Sequence, residues 1–191
     1  MDQADWRDIE ATLAGHGEAY ARIVRRYQND IARRMWRFTR DRRELEELVQ
    51  DVFVEAYTSL ASYRGTGPFD HWLSRLATRV GYRLWKRRRR AEKTVAIQDW
   101  DAPDPSRTQE AQLEAAEAAE RLHRVLGQLA PRDRLVLTLM YLEEMSVAEI
   151  ADHTGWSRTM VKVQAHRARK KLRALMEQAE KTDRASGDDE V

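Results

Sequence analysis

The sequence predicts an all-α protein of two small helical domains joined by an acidic flexible linker, the C-terminal one carrying a helix-turn-helix. Eight glycines and four prolines in 191 residues leave few tight turns. Apolar residues recur at three- and four-residue steps, as on a helix face, and no run alternates as a strand would. Charge also separates along the chain: 34 Lys and Arg against 32 Asp and Glu give a net charge of only +2, yet the signs fall in distinct blocks.

The first domain is expected over residues 14–90. Ile23, Tyr27 and Ile31 mark one helix, and Leu45, Leu48, Val49, Val52, Phe53, Ala56 and Leu60 mark a longer one. Gly65-Thr66-Gly67-Pro68 breaks the chain before a third helix carrying Trp72, Leu73, Leu76, Val80 and Leu84. Residues 91–120 read as the acidic linker, because eight carboxylates there face only Lys93 and Arg107, and Pro103 and Pro105 disfavour helix around them. From Gln109 the linker turns alanine- and glutamate-rich and is expected to run as a helix into the second domain.

That domain is expected over residues 121–179. Leu122, Val125, Leu126 and Leu129 form one helix, Pro131 opens the next, and Leu135, Leu139 and Leu142 continue it. Ser146 with Glu149 forms a capping-box pattern, Gly155 ends that short helix, and Ser157 caps the last one. Residues 180–191 read as a disordered tail.

Composition narrows the function. With no cysteine there is no disulfide frame, thiolate metal site or thiol catalysis. The five histidines, His16, His71, His123, His153 and His166, lack ligand spacing, and no nucleophile stands beside a base, so no catalytic residue, cofactor or metal is expected. No apolar run approaches the roughly 20 residues of a membrane span, and Met1 to Asp8 is too acidic for a targeting peptide; the expected location is the cytoplasm.

Residues 146–173 carry the clearest chemistry. A short helix, a turn at Gly155 and a helix with Val161 have the spacing of a helix-turn-helix. If Val161, Ala165, Ala168 and Leu172 face the core, then Thr159, Lys162, Val163, His166 and Arg167 face outward. From Arg158 to Arg173 there are seven Lys or Arg and no carboxylate, so sign-alternating pairs cannot form and phosphate is the expected neighbour. Cations early in the helix are placed for guanine edges and later ones for phosphates. A second basic run, Arg83, Lys86, Arg87, Arg88, Arg89 and Arg90, lies among Tyr63, Phe69, Trp72, Tyr82 and Trp85, the company in which unstacked bases are held, although Trp72 and Trp85 keep core spacing. Between the basic regions, Glu46, Glu47, Gln50, Asp51 and Glu55 form an acidic helix face, equally readable as solvated or as a docking surface.

Glu46 to Tyr57, then Tyr63-Arg64-Gly65, Phe69, Trp72 to Ala77 and the terminal helix-turn-helix together resemble the extracytoplasmic-function sigma factors of bacterial RNA polymerase, over nearly the whole chain. The resemblance implies that Glu47, Gln50, Asp51 and Glu55 bind core polymerase at the clamp helices of its largest subunit. It implies −10 recognition and melting of promoter DNA by Tyr63, Arg64, Phe69, Arg75, Arg79, Arg83, Lys86 and Arg87, the loop 63–70 capturing an unstacked base. It implies −35 recognition by Arg158, Thr159, Lys162, Val163, His166 and Arg167, and an anti-sigma factor as partner. Arg79 stands where many members carry asparagine, and Met160, Val163 and Gln164 replace the commoner threonine, serine and arginine. The competing reading is a conventional helix-turn-helix regulator acting without core polymerase.

Overall fold

The structure, a computed structural model, describes residues 2–94 and 110–187, and the described residues contain helices and no strand. The chain divides into two compact units, Met1–Ala96 and Ile97–Val191.

In the first unit, α1 (Gln3–Leu13), α2 (Gly17–Met35), α3 (Arg42–Ser59) and α4 (Phe69–Thr94) surround a core of Ile23, Met35, Phe38, Val52, Leu60, Leu73 and Leu76. Burying each of these large side chains contributes about 2 kcal/mol. Helix α1 lies ahead of the expected domain start at residue 14. Asp2 caps it by accepting from the Ala4 N–H at 2.9 Å, and Gly15, at φ +94°, supplies the left-handed turn into α2. Two buried carboxylates fasten α1 to α2: Asp5 accepts from Arg26 at 2.5 Å and Tyr27 at 2.7 Å, and Asp8 from Arg22 at 2.8 Å and Arg26 at 2.7 Å. Desolvation pushes the Asp8 carboxyl upward, but hydrogen bonds from Arg26 and Arg22 outweigh it and hold the group below its ordinary range.

Helix α3 buries Leu48, Val52, Phe53 and Ala56, with Asp41 as its N-cap. It packs on α2 and α4, and a 3-10 turn, Leu60–Ser62, follows it. Gly81 sets the approach of the α2–α3 connection to α4. A Cβ there would lie 2.3 Å from the Phe38 ring, which packs on Trp85 at 4.5 Å.

The second unit holds α5 (Glu110–Gln128), α6 (Pro131–Leu137), α7 (Val147–Thr154) and α8 (Arg158–Gly187). Pro131 opens α6, Ser146 and Glu149 complete a capping box, Gly155 adopts φ +72°, and the Ser157 hydroxyl accepts from the Met160 N–H at 3.1 Å. The helix begun at Pro131 does not run straight through Leu142: a π-helical turn, Thr138–Leu142, inserts one extra residue per turn. Two boundaries also differ from the composition reading. Residues 91–94 of the expected linker continue α4, and α8 runs through residues 180–187, expected as tail, whereas residues 110–120 are helical as their alanine- and glutamate-rich composition predicts. Good helix formers, Glu177, Ala179, Lys181 and Ala185, carry it onward until Gly187. The proline-rich part of the linker, residues 95–109, lies outside the described residues, as do residues 188–191.

Candidate nucleic-acid and polymerase interfaces

The last helix presents its outward face as the spacing predicts. Val161, Ala165 and Ala168 are fully buried against the rest of the unit, and Arg158, Thr159, Lys162, Val163, His166 and Arg167 are all exposed. None of Arg158, Lys162, Arg167, Lys170 and Arg173 has a carboxylate partner among the described residues. Small alanines at the contact let α8 lie close to α6 and α7, so the outward cations project as one ridge.

Two residues of this helix bond back to α6, and sequence spacing alone did not identify them. Asp133 of α6, 2% exposed, accepts from Gln164 Nε2 at 2.5 Å and from Lys171 Nζ at 2.6 Å. Seven residues apart on α8, these donors lie two turns from each other on one side, so a single buried carboxylate fixes both the axial and the rotational setting of the helix. Lys171, though exposed, thereby has a carboxylate partner among the described residues, unlike Arg158, Lys162, Arg167, Lys170 and Arg173. Beside it, Arg134 is buried against His123 at 2.9 Å, and the Arg132 guanidinium lies over the Trp156 ring at 5.8 Å.

In the first unit, Arg79, Arg83, Lys86 and Arg87 are exposed on α4 and recur at three- and four-residue steps, with Arg75 half-buried on the same side and Arg64 exposed in the preceding loop. Tyr82 sits under Lys86, its ring 5.6 Å from the ammonium. Tyr63 and Phe69, expected to contact DNA, point instead into the protein. Phe69 packs on Tyr27 at 5.6 Å, Tyr63 at 5.2 Å and Trp72 at 5.3 Å, and the Tyr63 hydroxyl donates to the Gly67 carbonyl at 2.6 Å. Burial, reinforced by Asp5 and Asp70, pushes the Tyr63 phenol upward and keeps it a neutral donor. The physical reason is the apolar surface: two large rings gain more from a shared cluster than from water, and the cluster braces the loop 64–68 from beneath.

The acidic face of α3 divides in two. Glu47, Gln50 and Asp51 are exposed, and with Val54 (63% exposed) and Tyr57 (54%) they make one stripe at helical spacing. Exposed apolar side chains framed by acids mark a docking surface better than the acids alone. Glu55, expected in the same set, belongs to the other side. It hydrogen-bonds to Arg83 and lies 4.0 Å from Arg79, while Glu44, not singled out from the sequence, bonds Arg88 at 2.6 Å. The correction has a simple cause: half-burial of Glu55 between α3 and α4 makes its nearest partners two arginines of the same chain.

Among the described residues, no helix is long and apolar enough to cross a membrane, and no group of three or more metal-ligating side chains is assembled.

Comparison with known proteins matches the two units separately. Sigma-70 region 2 matches residues 23–91 and Sigma-70, region 4 matches residues 119–172, together well over half of the chain. The chain is 28% identical over 170 residues to the RNA polymerase sigma factor YlaC of Bacillus subtilis, covering 88% of this chain and 98% of that one. It is 26% identical to the ECF RNA polymerase sigma factor SigW of the same organism, covering 91% and 97%. A solved structure of CnrH in complex with the cytosolic domain of CnrY superposes with a TM-score of 0.58 at 26% identity, covering 92% of this chain and 98% of that chain. Matches on both units leave no room for a regulator built on the helix-turn-helix alone. The chain belongs to the sigma-70 family and is an RNA polymerase sigma factor of the extracytoplasmic-function group.

Proposed function

We propose that this sigma factor docks on core RNA polymerase through the α3 stripe of Glu47, Gln50, Asp51, Val54 and Tyr57, meeting the clamp helices of the largest subunit. Arg64, Arg79, Arg83, Lys86 and Arg87 then engage the −10 region, and the ridge Arg158, Thr159, Lys162, Val163, His166 and Arg167 reads the −35 element. Tyr63 and Phe69 act from beneath, holding the loop 64–68 in shape. Phosphate contacts from two cationic helices offset the few kcal/mol needed to unpair the duplex between them. The protein makes and breaks no bonds, works in the cytoplasm, and is held in check by an anti-sigma protein that covers one or both DNA-facing surfaces.

The observation that supports this reading most strongly is the exposed Val54 and Tyr57 within an acidic stripe, a surface a DNA-only regulator has no use for. The test is transcription by purified bacterial core polymerase from a library of randomised promoters. Wild-type chain should yield transcripts sharing two upstream elements. Gln50→Ala with Asp51→Ala should abolish them and leave duplex binding by the chain intact. Transcription no more selective than core alone, with duplex binding retained, would overturn the reading.

A further inference from the structure

The outward face of α8 has an unequal chemistry. Its cations, Arg158, Lys162 and Arg167, suit guanine edges and phosphates. The side chain on its first two turns best suited to grip adenine bidentately is the amide of Gln164, and that amide is held by the buried Asp133 carboxylate at 2.5 Å. In its place the ridge presents Val163, 45% exposed, flanked by Lys162, His166 and Arg167 and one turn from Thr159. A branched apolar group in the middle of a cationic, groove-entering face has one apolar partner in the major groove, the C5 methyl of thymine.

We propose that Val163 is a specificity-determining residue that recognises a thymine in the −35 element through its methyl group, and that Gln164 takes no part in base reading because Asp133 sequesters its amide. The proposal rests on the reading of α8 as the −35 helix. Asp133 acts as a positioning residue: by gripping Gln164 and Lys171 together it fixes the rotation of α8 that keeps Val163 outward. Val163 is 45% exposed and lies outside the buried core, so Val163→Ala, which also raises helix propensity, preserves the fold.

The test uses full-length chain assembled with core polymerase and duplexes selected from a random pool. In the selected −35 element each thymine is replaced in turn by deoxyuridine, which removes the methyl group and leaves base pairing unchanged. At one position deoxyuridine should weaken wild-type binding about four-fold, the value of one buried methyl group. In Val163→Ala the same replacement should have no effect, and selection with that variant should lose the preference for thymine there. Gln164→Ala, with Lys171 still bonded to Asp133, should leave the base preference unaltered, and a changed preference at any position would overturn the exclusion of Gln164 from base reading. If no thymine is sensitive, or if the sensitivity persists in Val163→Ala, the assignment of Val163 is wrong while the −35 helix stands. If no −35 element is selected at all, the reading of α8 itself fails, and the proposal with it.

Discussion

Replacing Gly81 by alanine sets two effects of opposite sign against each other. In the interior of α4 the change gains about 1 kcal/mol of helix propensity. Against this, the new Cβ would meet Phe38 Cδ1 and Cγ at 2.3 Å and Cε1 at 2.6 Å, where ordinary contact begins at 3.4 Å. Phe38 has no easy retreat. It is 1% exposed, its ring packs on Trp85 at 4.5 Å, and the Trp85 indole N–H donates to its carbonyl at 2.8 Å. Overpacking of this kind costs about 1–3 kcal/mol, and so large an overlap belongs at or above the upper end, leaving a net loss of about 2 kcal/mol. In a unit of this size that lowers the melting temperature by roughly 8–16 °C. Urea titration followed by tryptophan fluorescence reports it, since Trp6, Trp36, Trp72 and Trp85 lie in this unit. In a Phe38→Leu background the penalty should shrink by more than half, because the branched side chain is shorter and can turn aside. An increase in stability on Gly81→Ala alone would refute the packing argument.

Three further outcomes are expected. Glu55→Gln should leave core affinity within about two-fold and stability nearly unchanged, since its arginine partners are largely exposed, while tightening DNA binding about three-fold at low salt by releasing Arg79 and Arg83; a large loss of core affinity would return Glu55 to the polymerase surface. Replacing Lys162 and Arg167 together by alanine should reduce the slope of log affinity against log salt by about 2, read in a duplex titration from 50 to 200 mM salt. Asp8 is held below its ordinary value, so its contribution to stability is present above about 3.8 and is lost as pH falls through the depressed folded value. Acid unfolding of Asp8→Asn should therefore be less steep in that range, and the variant should be less stable by about 2 kcal/mol at neutral pH; a parallel acid profile would contradict the role given to Asp8.

What the sequence disclosed follows from the range of each interaction. Pro131, the Ser146–Glu149 capping box, Gly155 and Ser157 act within four residues of their own position, so their roles could be read directly from the order of residues. The outward ridge of α8 was legible because Val161, Ala165 and Ala168 fix which side faces the core. Helix α1 was not, because acids at 5 and 8 look like solvent-facing residues until Arg22, Arg26 and Tyr27 are seen to meet them. The same blindness explains Glu55, whose partner Arg83 lies 28 residues on, and Gln164, whose partner Asp133 lies 31 residues back. Tyr63 and Phe69 show a different difficulty: an aromatic side chain in a loop serves a base or a core equally well by composition, and only the meeting of four rings around Tyr27 and Trp72 decides between them.

The central claim is that one subunit reads two DNA elements while attached to polymerase and opens the helix at the nearer of them. Footprinting of the assembled polymerase on a selected promoter, with permanganate marking unpaired thymines and hydroxyl radical marking covered duplex, measures this directly. The account predicts reactive, unpaired thymines at the −10 element, protection of a separate upstream segment, and loss of both when Gln50 and Asp51 are replaced by alanine. Protection of the upstream segment without any reactive thymine, or with the same pattern in the absence of core polymerase, would contradict it.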